Sequence, residues 1–320
     1  MQKKSSEALL TKIVPLSSHD GPGMRTTLFF KGCSMRCSWC HNPETINAFP
    51  ELEWQSRNCI GCRQCEKACK YGAIDFSHQK TYPIDKEKCT RCFSCVESCP
   101  SKALNSIGIY YSQSMLLERI LKDKPLLIKM EGGITFSGGE PALQSTFILS
   151  LAKELKRHIL HLALDTCGLA SLQVYKQLLP YIDILLFDLK EIDPEKHHLF
   201  TGVGNQKITD NLLRIIDFIR EKKLQTRIWI RTPLVPGMTA TEENISGIAR
   251  FISDYTDCID RWELCAFNNL CTDKYRQLGL SWPLVTTPLL SDIEIKELLA
   301  TAKVMTANKI QITASGLTKK

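Results

Sequence analysis

The stretch RTTLFFKGCSMRCSWCHNPE, residues 25–44, joins a run of apolar and β-branched residues to three closely spaced cysteines. The run is typical of a buried strand. Cys33, Cys37 and Cys40 follow it in the pattern C-x3-C-x2-C. Potential metal ligands directly after a strand are typical of α/β proteins, which place their chemistry at the carboxyl ends of their strands.

Comparable strands recur along the chain, and most of them end in glycine or polar residues. They are predicted within residues 132–139, 160–168, 182–190, 226–237, 261–268 and 309–315. Stretches whose apolar residues recur at three- and four-residue steps predict helices within residues 142–156, 208–221, 242–255 and 291–304. This alternation predicts an α/β fold with a parallel sheet and right-handed crossovers.

Two further cysteine runs, CIGCRQCEKACK and CTRCFSCVESCP, both read C-x2-C-x2-C-x3-C. They supply the eight cysteines Cys59, Cys62, Cys65, Cys69, Cys89, Cys92, Cys95 and Cys99. Repeated in this form, the pattern is typical of bacterial ferredoxins that hold two 4Fe–4S clusters. Zinc is the alternative, although zinc sites prefer two C-x2-C pairs separated by a longer loop.

In the ferredoxin pattern, the fourth cysteine of each run ligates the other cluster. One cluster is therefore predicted on Cys59, Cys62, Cys65 and Cys99, and the other on Cys89, Cys92, Cys95 and Cys69. The second run ends in Pro100, as the pattern does, whereas Lys70 takes that position in the first run. This difference removes no ligand.

The first trio has no fourth cysteine nearby. A 4Fe–4S cluster on Cys33, Cys37 and Cys40 would leave one iron open to an external ligand, and an open coordination position indicates chemistry. A structural zinc site completed by His41 is the alternative.

Composition limits the remaining possibilities. The chain has 320 residues, 43% of them hydrophobic and 23% charged, as in globular proteins. We expect a cytoplasmic protein, because no signal peptide or membrane span is evident and 15 cysteines suit metal ligation in a reducing compartment. Nucleic acid is not an expected partner, because the basic residues behind the net charge of +7 are scattered. Buried structural roles are the default for Cys167, Cys258, Cys265 and Cys271.

Several motifs together resemble the glycyl-radical-enzyme activating enzymes, the pyruvate formate-lyase activase family of the radical S-adenosylmethionine (SAM) enzymes. They are HDGPGMRTTLFFKGCSMRCSWCHNPE, GGITFSGGEPALQ, LDTCG, FDLK, DPEKHHLFTGVGN and IRTPLVPG. The resemblance spans about residues 12–320. It implies a partial (β/α)6-type barrel formed by residues 1–50 and 105–320, with a ferredoxin-like two-cluster insert at 51–104.

The resemblance also implies a reaction. SAM would chelate the open iron of the Cys33, Cys37 and Cys40 cluster, and reductive cleavage would give methionine and a 5′-deoxyadenosyl radical. That radical would abstract hydrogen from one glycine of a partner glycyl radical enzyme. Three 4Fe–4S clusters, SAM and a monovalent cation are the implied cofactors, and flavodoxin or ferredoxin is the implied electron donor.

Five implied SAM-binding residues lie in or beside the cysteine and glycine motifs. Gly138, Gly139 and Glu140 would approach the methionine ammonium, and Trp39 and His41, which flank Cys40, would contact the adenine. A tight turn at a helix start also explains the glycine pair and the glutamate. Trp39 taken alone is more typical of a core residue.

The other implied site residues follow later strands. Asp165, Asp188 and Lys190 would surround the methionine moiety and the cation, and Arg231 could bind the methionine carboxylate. Solvated strand ends and a surface salt bridge are the alternatives.

Two positions depart from the family pattern. Asn268 stands where the family commonly has histidine, and it cannot titrate as histidine does. Cys167 stands where the family commonly has asparagine.

Two other function classes remain open at this point. One is an iron–sulfur electron-transfer protein with a structural α/β body. The other is a radical SAM enzyme that acts on a small molecule. The identity of a partner enzyme, and hence its pathway, cannot be read from the chain, and neither can the oligomeric state.

Overall fold

The computed structural model describes residues 7–77 and 82–319; the outermost ends of the predicted barrel segments, residues 1–6 and 320, lie outside them. The strands are β1 (Glu7–Ser17), β2 (Arg25–Phe30), β3 (Glu51–Trp54), β4 (Leu104–Ile107), β5 (Ile109–Ser112), β6 (Gly133–Gly138), β7 (His161–Thr166), β8 (Ile184–Asp188), β9 (Arg227–Leu234), β10 (Ile259–Ala266) and β11 (Gln311–Ser315). The α-helices are α1 (Gln64–Ala68), α2 (Ser94–Glu97), α3 (Gln113–Lys129), α4 (Ser145–Arg157), α5 (Leu172–Leu178), α6 (Pro194–Thr201), α7 (Gln206–Lys222), α8 (Glu242–Ile252), α9 (Thr272–Gln277) and α10 (Asp292–Met305).

One large sheet contains nine of these strands in the order β11-β10-β9-β8-β7-β6-β2-β1-β5. The seven strands from β2 to β11 in this sheet pair in parallel, whereas β1 and β5 pair antiparallel at one edge. The predicted α/β fold with a large, mostly parallel sheet is therefore confirmed. In the part of the chain that the structure describes, β5 and β11 form the two edges, so the sheet does not close on itself.

The main core lies between this sheet and the helices that connect its strands. The parallel strands read as nearly continuous buried runs, as expected for a sheet covered by helices. Helices α4, α7 and α8 each bury one apolar stripe against the sheet. The carboxyl ends of the strands therefore meet along one edge of the core, where side chains after each strand can converge.

The element boundaries differ from the predictions in a few places. The helix predicted from residue 142 begins at Ser145, because Pro141–Gln144 forms a 3-10 turn that starts at a proline. Strands β1, β3, β4 and β5 and helices α1, α2, α3, α5, α6 and α9 were not predicted. Pro125 lies inside α3, where proline normally ends a helix, and the helix nevertheless continues to Lys129.

The cysteine-rich segment forms a compact unit beside the large sheet. Its first and last strands, β3 and β4, pair antiparallel as a separate two-stranded sheet. Short helices α1 and α2 follow Arg63 and Phe93, two left-handed residues that take equivalent positions in the two cysteine runs. A small core that includes Cys65 and Cys95 lies between the two halves. The sequence repeat thus corresponds to a structural repeat.

No helix within residues 7–77 and 82–319 is both long enough and apolar enough to cross a membrane.

Candidate functional site

A cavity of about 680 Å³ lies at the carboxyl ends of the parallel strands. Twelve of the residues predicted to form the site line it: Cys33, Cys37, Trp39, Cys40, His41, Gly138, Gly139, Asp165, Asp188, Lys190, Arg231 and Asn268. These residues lie in or directly after six strands, so the fold brings together groups that are up to 235 positions apart in the sequence. Arg231, which was expected to follow a strand, lies within β9.

The cluster loop after β2, residues 33–42, is fixed through its main chain. The Cys33 N–H donates to the Ile46 carbonyl at 2.9 Å, and the Ser38 N–H donates to the carbonyl of Phe200, in helix α6, at 2.9 Å. The loop is therefore held from two sides, and its cysteines are positioned by backbone contacts that do not depend on a metal.

The three thiols of this loop are partly buried. Burial raises the pKa of Cys37 to about 11 and that of Cys40 to about 12, and it raises the pKa of Cys33 as well. All three groups are therefore neutral thiols at pH 7 without a metal. Because a metal binds the thiolate, cluster insertion must release these protons.

Gly138, the last residue of β6, allows two main-chain segments to touch. Its φ of +108° is one that side chains rarely adopt, and a Cβ here would lie 2.5 Å from both N and O of Phe30. The next residue, Gly139, donates its N–H to the same Phe30 carbonyl at 2.9 Å. The glycine pair thus lets the loop after β6 lie directly beside the start of the cluster loop.

Gly138→Ala is expected to lower the free energy of unfolding by about 3 kcal/mol, through backbone strain and steric overlap together. Gly237→Ala is the matched control, because Gly237 also has a positive φ, +70°, but a Cβ there would meet nothing within 4 Å. The control should cost about 1 kcal/mol from strain alone. Urea unfolding followed by circular dichroism measures both variants, and equal losses would show that the contact with Phe30 has no steric importance.

Glu140 lies beneath the cavity, and its carboxylate points into the core. One carboxylate oxygen accepts hydrogen bonds from Ala142 N at 3.0 Å and Thr166 Oγ1 at 2.8 Å, and the other accepts from Cys167 N at 2.8 Å. Burial raises its pKa, although these hydrogen bonds oppose the shift. Glu140 thus fastens the loop after β6 to the end of β7, and its predicted contact with a cofactor stays a prediction.

Arg231 lies at the centre of a group of carboxylates in the floor of the cavity. Its Nη1 is 3.3 Å from Asp165 Oδ2 and 3.7 Å from Asp20 Oδ1, and its Nε is 3.5 Å from Glu263 Oε2 without hydrogen-bond geometry. Burial raises the pKa of Asp165 to about 7, while Arg231 and a hydrogen bond from Ser137 favour the ionised form. Arg231 is therefore the positive charge that stabilises this acidic floor.

A second ion pair lies beside the first. Lys190 Nζ donates to Asp188 Oδ2 at 2.5 Å. Burial by itself would lower the pKa of Lys190, but Asp188 outweighs it and the pKa is raised. The cavity therefore contains two side chains that stay positively charged, Arg231 and Lys190, next to carboxylates. This arrangement is complementary to a ligand with both ammonium and carboxylate groups.

Aromatic residues of the cluster loop also line the cavity. His41 Nε2 lies 2.8 Å from the main-chain carbonyl of Asn268, and burial lowers the pKa of His41, so its ring is neutral at pH 7. The Asn268 side chain accepts a hydrogen bond from Leu270 N at 3.2 Å, within its own turn. Trp39 packs edge-on against Phe200, with ring centroids 6.2 Å apart.

Asp20, Glu263 and His19 belong to the site but were not singled out from the sequence. Cys167 and Cys265, which were expected to have buried structural roles, line the cavity, and Cys265 is only partly buried. A usable signal existed for Asp20 and Glu263. Asp20 directly precedes Gly-Pro-Gly, a sequence that indicates a turn. Glu263 lies two positions before the cavity residue Cys265 on β10, so both face the same side of the strand.

The double cysteine run forms two recesses. One, of about 250 Å³, is lined by Cys59, Cys62, Cys65 and Cys99. The other, of about 10 Å³, is lined by Cys69, Cys89, Cys92 and Cys95. The cysteines therefore group as three from one run with the last from the other.

A single zinc ion, the alternative for these cysteine sites, needs ligands that converge on one point. Across residues 7–77 and 82–319, no three His, Cys, Asp or Glu side chains converge in the arrangement of one metal ion. His41, the fourth zinc ligand in that alternative, has its Nε2 at hydrogen-bond distance from the Asn268 carbonyl.

The family model of the Radical SAM superfamily matches residues 27–251. The chain is 36% identical over 287 residues to the isethionate sulfite-lyase activating enzyme of Oleidesulfovibrio alaskensis, covering 88% of this chain and 91% of the relative. It is 33% identical to the indoleacetate decarboxylase activating enzyme of Tractidigestivibacter scatoligenes, with 91% and 93% covered. It is also 33% identical to the choline trimethylamine-lyase activating enzyme of O. alaskensis, with 92% and 94% covered.

Among solved structures, the chain resembles a domain of the pyruvate-formate lyase-activating enzyme from Bacteroides vulgatus. The TM-score is 0.46 at 25% identity, and the match covers 58% of this chain and 99% of that domain.

Proposed function

The chain belongs to the radical SAM superfamily and, within it, to the activating enzymes of glycyl radical enzymes, and we propose that its chemistry takes place in the cavity at the strand ends. The observation that supports this assignment most is that Cys33, Cys37 and Cys40 share one cavity with the residues predicted to hold SAM.

The donor set of this cavity fits a 4Fe–4S cluster with bound SAM. The three partly buried thiols would supply ligands for three irons and would leave the fourth iron for SAM. Such a cluster, once reduced, supplies the electron that cleaves SAM to methionine and a 5′-deoxyadenosyl radical, which abstracts hydrogen from a glycine of the partner enzyme. The role of the protein is to hold SAM, orient it and exclude water.

Individual side chains fit parts of SAM. Arg231 can bind the methionine carboxylate, and the backbone at Gly138 and Gly139 can approach the methionine ammonium. Trp39 and His41 offer flat surfaces for the adenine. A monovalent cation near Asp165 remains a prediction.

For residues 51–107 we propose a ferredoxin-like insert with two 4Fe–4S clusters, between barrel segments at 1–50 and 108–320. This extends the insert boundary predicted at residue 104 to the end of β4. The recess at Cys59, Cys62, Cys65 and Cys99 offers space for one cluster. The smaller recess, lined by Cys69, Cys89, Cys92 and Cys95, is the proposed place of the other.

We also propose that these two clusters relay electrons from flavodoxin or ferredoxin to the cluster at Cys33, Cys37 and Cys40. Support comes from the ferredoxin pattern and from the contact between the insert and residues 271–282, where Arg57 Nη2 lies 3.1 Å from Asp273 Oδ2. Full flavodoxin-driven SAM cleavage by a protein that lacks both auxiliary clusters would contradict the relay.

The function is tested by anaerobic reconstitution with iron and sulfide, followed by reduction with dithionite in the presence of SAM. We expect 5′-deoxyadenosine, and we expect SAM to change the electron paramagnetic resonance (EPR) signal of one cluster only. An electron-transfer protein would give neither result. A radical enzyme for small molecules would give 5′-deoxyadenosine but no glycyl radical on any partner enzyme.

A further inference from the structure

Residues 271–282, which include helix α9, pack against the second half of the cluster loop. Tyr275 Oη donates a hydrogen bond to the Cys40 carbonyl at 2.9 Å, and Trp282 Nε1 donates to the Ser38 carbonyl at 2.8 Å. The two rings stack with centroids 5.1 Å apart and an interplanar angle of 14°. Both side chains are buried, 7% and 5% exposed, so these hydrogen bonds are shielded from water.

Lys274 completes the contact. Its ammonium donates to the His41 carbonyl at 2.8 Å, to Asn42 Oδ1 at 2.8 Å and to Glu44 Oε1 at 2.9 Å. An ammonium has three protons to donate, and each has an acceptor on the chain that leaves the cluster loop. Lys274 therefore joins the end of the cluster loop to α9.

This packing is separate from the core that stabilises the large sheet. The segment belongs to a small cluster of its own, which includes Trp39 of the cluster loop together with Tyr275 and Trp282. On its other side the segment contacts the insert, where a Cβ on Gly279 would lie 2.3 Å from the Tyr82 ring. Residues 271–282 are therefore placed between the insert and the cluster loop.

We propose that Lys274, Tyr275 and Trp282 are positioning residues that hold the Cys40 side of the cluster loop and raise the reduction potential of the cluster on it. This inference rests on the proposed function. Reduction adds negative charge to a cluster. Lys274 favours the reduced state because its ammonium offsets the negative charge of Glu44, whose Oε1 lies 2.9 Å away beside the cluster loop. The donors on the Ser38, Cys40 and His41 carbonyls act in the same direction, because they offset the negative ends of those dipoles.

The test is an EPR-monitored redox titration of the reconstituted full-length protein, with and without SAM. The signal that SAM changes reports the cluster at Cys33, Cys37 and Cys40, and the other signals report the insert. Lys274→Met keeps the chain length but removes the charge and its hydrogen bonds, and Tyr275→Phe removes a single hydroxyl. Lys274→Arg tests rescue by charge. The controls are Lys296→Met, at an exposed lysine on α10, and Tyr181→Phe, remote from the cluster loop.

Lys274→Met should lower the equilibrium constant for one-electron reduction of the SAM-sensitive cluster about tenfold. This corresponds to a fall of about 59 mV in its reduction potential. Tyr275→Phe should lower this equilibrium constant about threefold, and the reduction potential of Lys274→Arg should stay close to that of the wild type. The insert signals and both controls should be unchanged. If Lys274 and Tyr275 only stabilise the fold, their variants should bind less iron, but the clusters that form should keep the wild-type reduction potential.

Unchanged potentials in Lys274→Met and Tyr275→Phe, at full iron content, would overturn the inference and leave the proposed function intact. If Lys274→Met fails to fold, Tyr275→Phe decides the question, because it preserves the ring and its stacking on Trp282. A wild-type protein with no SAM-sensitive signal would overturn the proposed function itself.

Discussion

Cys37→Ala is expected to lower reductive SAM cleavage by at least roughly 1000-fold, equivalent to about 4 kcal/mol of activation free energy. Cys37 is the central cysteine of the loop trio and lines the cavity. Without its thiolate, only two cysteines of the loop remain to bind the cluster, which then cannot be retained with one iron open for SAM. The measurement is 5′-deoxyadenosine formed by reconstituted, dithionite-reduced protein.

Two further variants sharpen this test. Cys167 lines the same cavity and could replace the missing thiol, so the double variant Cys37→Ala/Cys167→Ala removes that route. Cys258→Ala is the control, because Cys258 is as buried as Cys167 but lies in the main core, outside the residues that line the cavity. Wild-type cleavage by the double variant would show that the loop trio does not hold the reactive cluster.

The second large effect concerns how the eight insert cysteines divide between two clusters. The reconstituted protein should contain about 12 irons, in three 4Fe–4S clusters. Cys59→Ser/Cys99→Ser alters two ligands of the same proposed cluster and should leave about 8 irons. Cys59→Ser/Cys69→Ser alters one ligand of each cluster and should leave about 4.

Pairing within each run would give the opposite order of iron contents for the two double variants. Equal iron loss in both would mean that the insert does not hold two independent clusters. Because both variants replace two cysteines by serine in the same segment, a general loss of solubility would affect them alike. The difference between their iron contents is therefore the informative quantity.

The local parts of this structure could be predicted from the sequence. The spacing within each cysteine run is set by a short stretch of chain, and buried parallel strands such as β8 read as continuous apolar runs. Strand β1 was missed because it contains Lys12 and Pro15 and pairs antiparallel near the edge of the sheet. Helix α3 was missed because Pro125 suggests a break that tertiary packing overrides.

In the site too, local features could be predicted from the sequence, whereas contacts made by tertiary packing could not. Residues directly after strands were predicted, because carboxyl ends of parallel strands meet at one edge. The contacts of Lys274 with the cluster loop were not, because they join positions more than 200 residues apart and depend on how α9 packs. The inward orientation of the Glu140 carboxylate could not be predicted from the motif either, because a motif shows a charged residue but not its hydrogen-bond partners.

The most direct test of the central claim is deuterium transfer from a partner glycine. The activating enzymes similar to this chain are named for lyases and decarboxylases, so a purified panel of those glycyl radical enzymes, labelled with Cα-deuterated glycine, provides the substrates. Each would be incubated anaerobically with the reduced, reconstituted protein and SAM. The account predicts that at least one enzyme yields deuterated 5′-deoxyadenosine together with a glycyl radical EPR signal. Efficient SAM cleavage that leaves 5′-deoxyadenosine free of deuterium with every enzyme of the panel, and no glycyl radical, would contradict it.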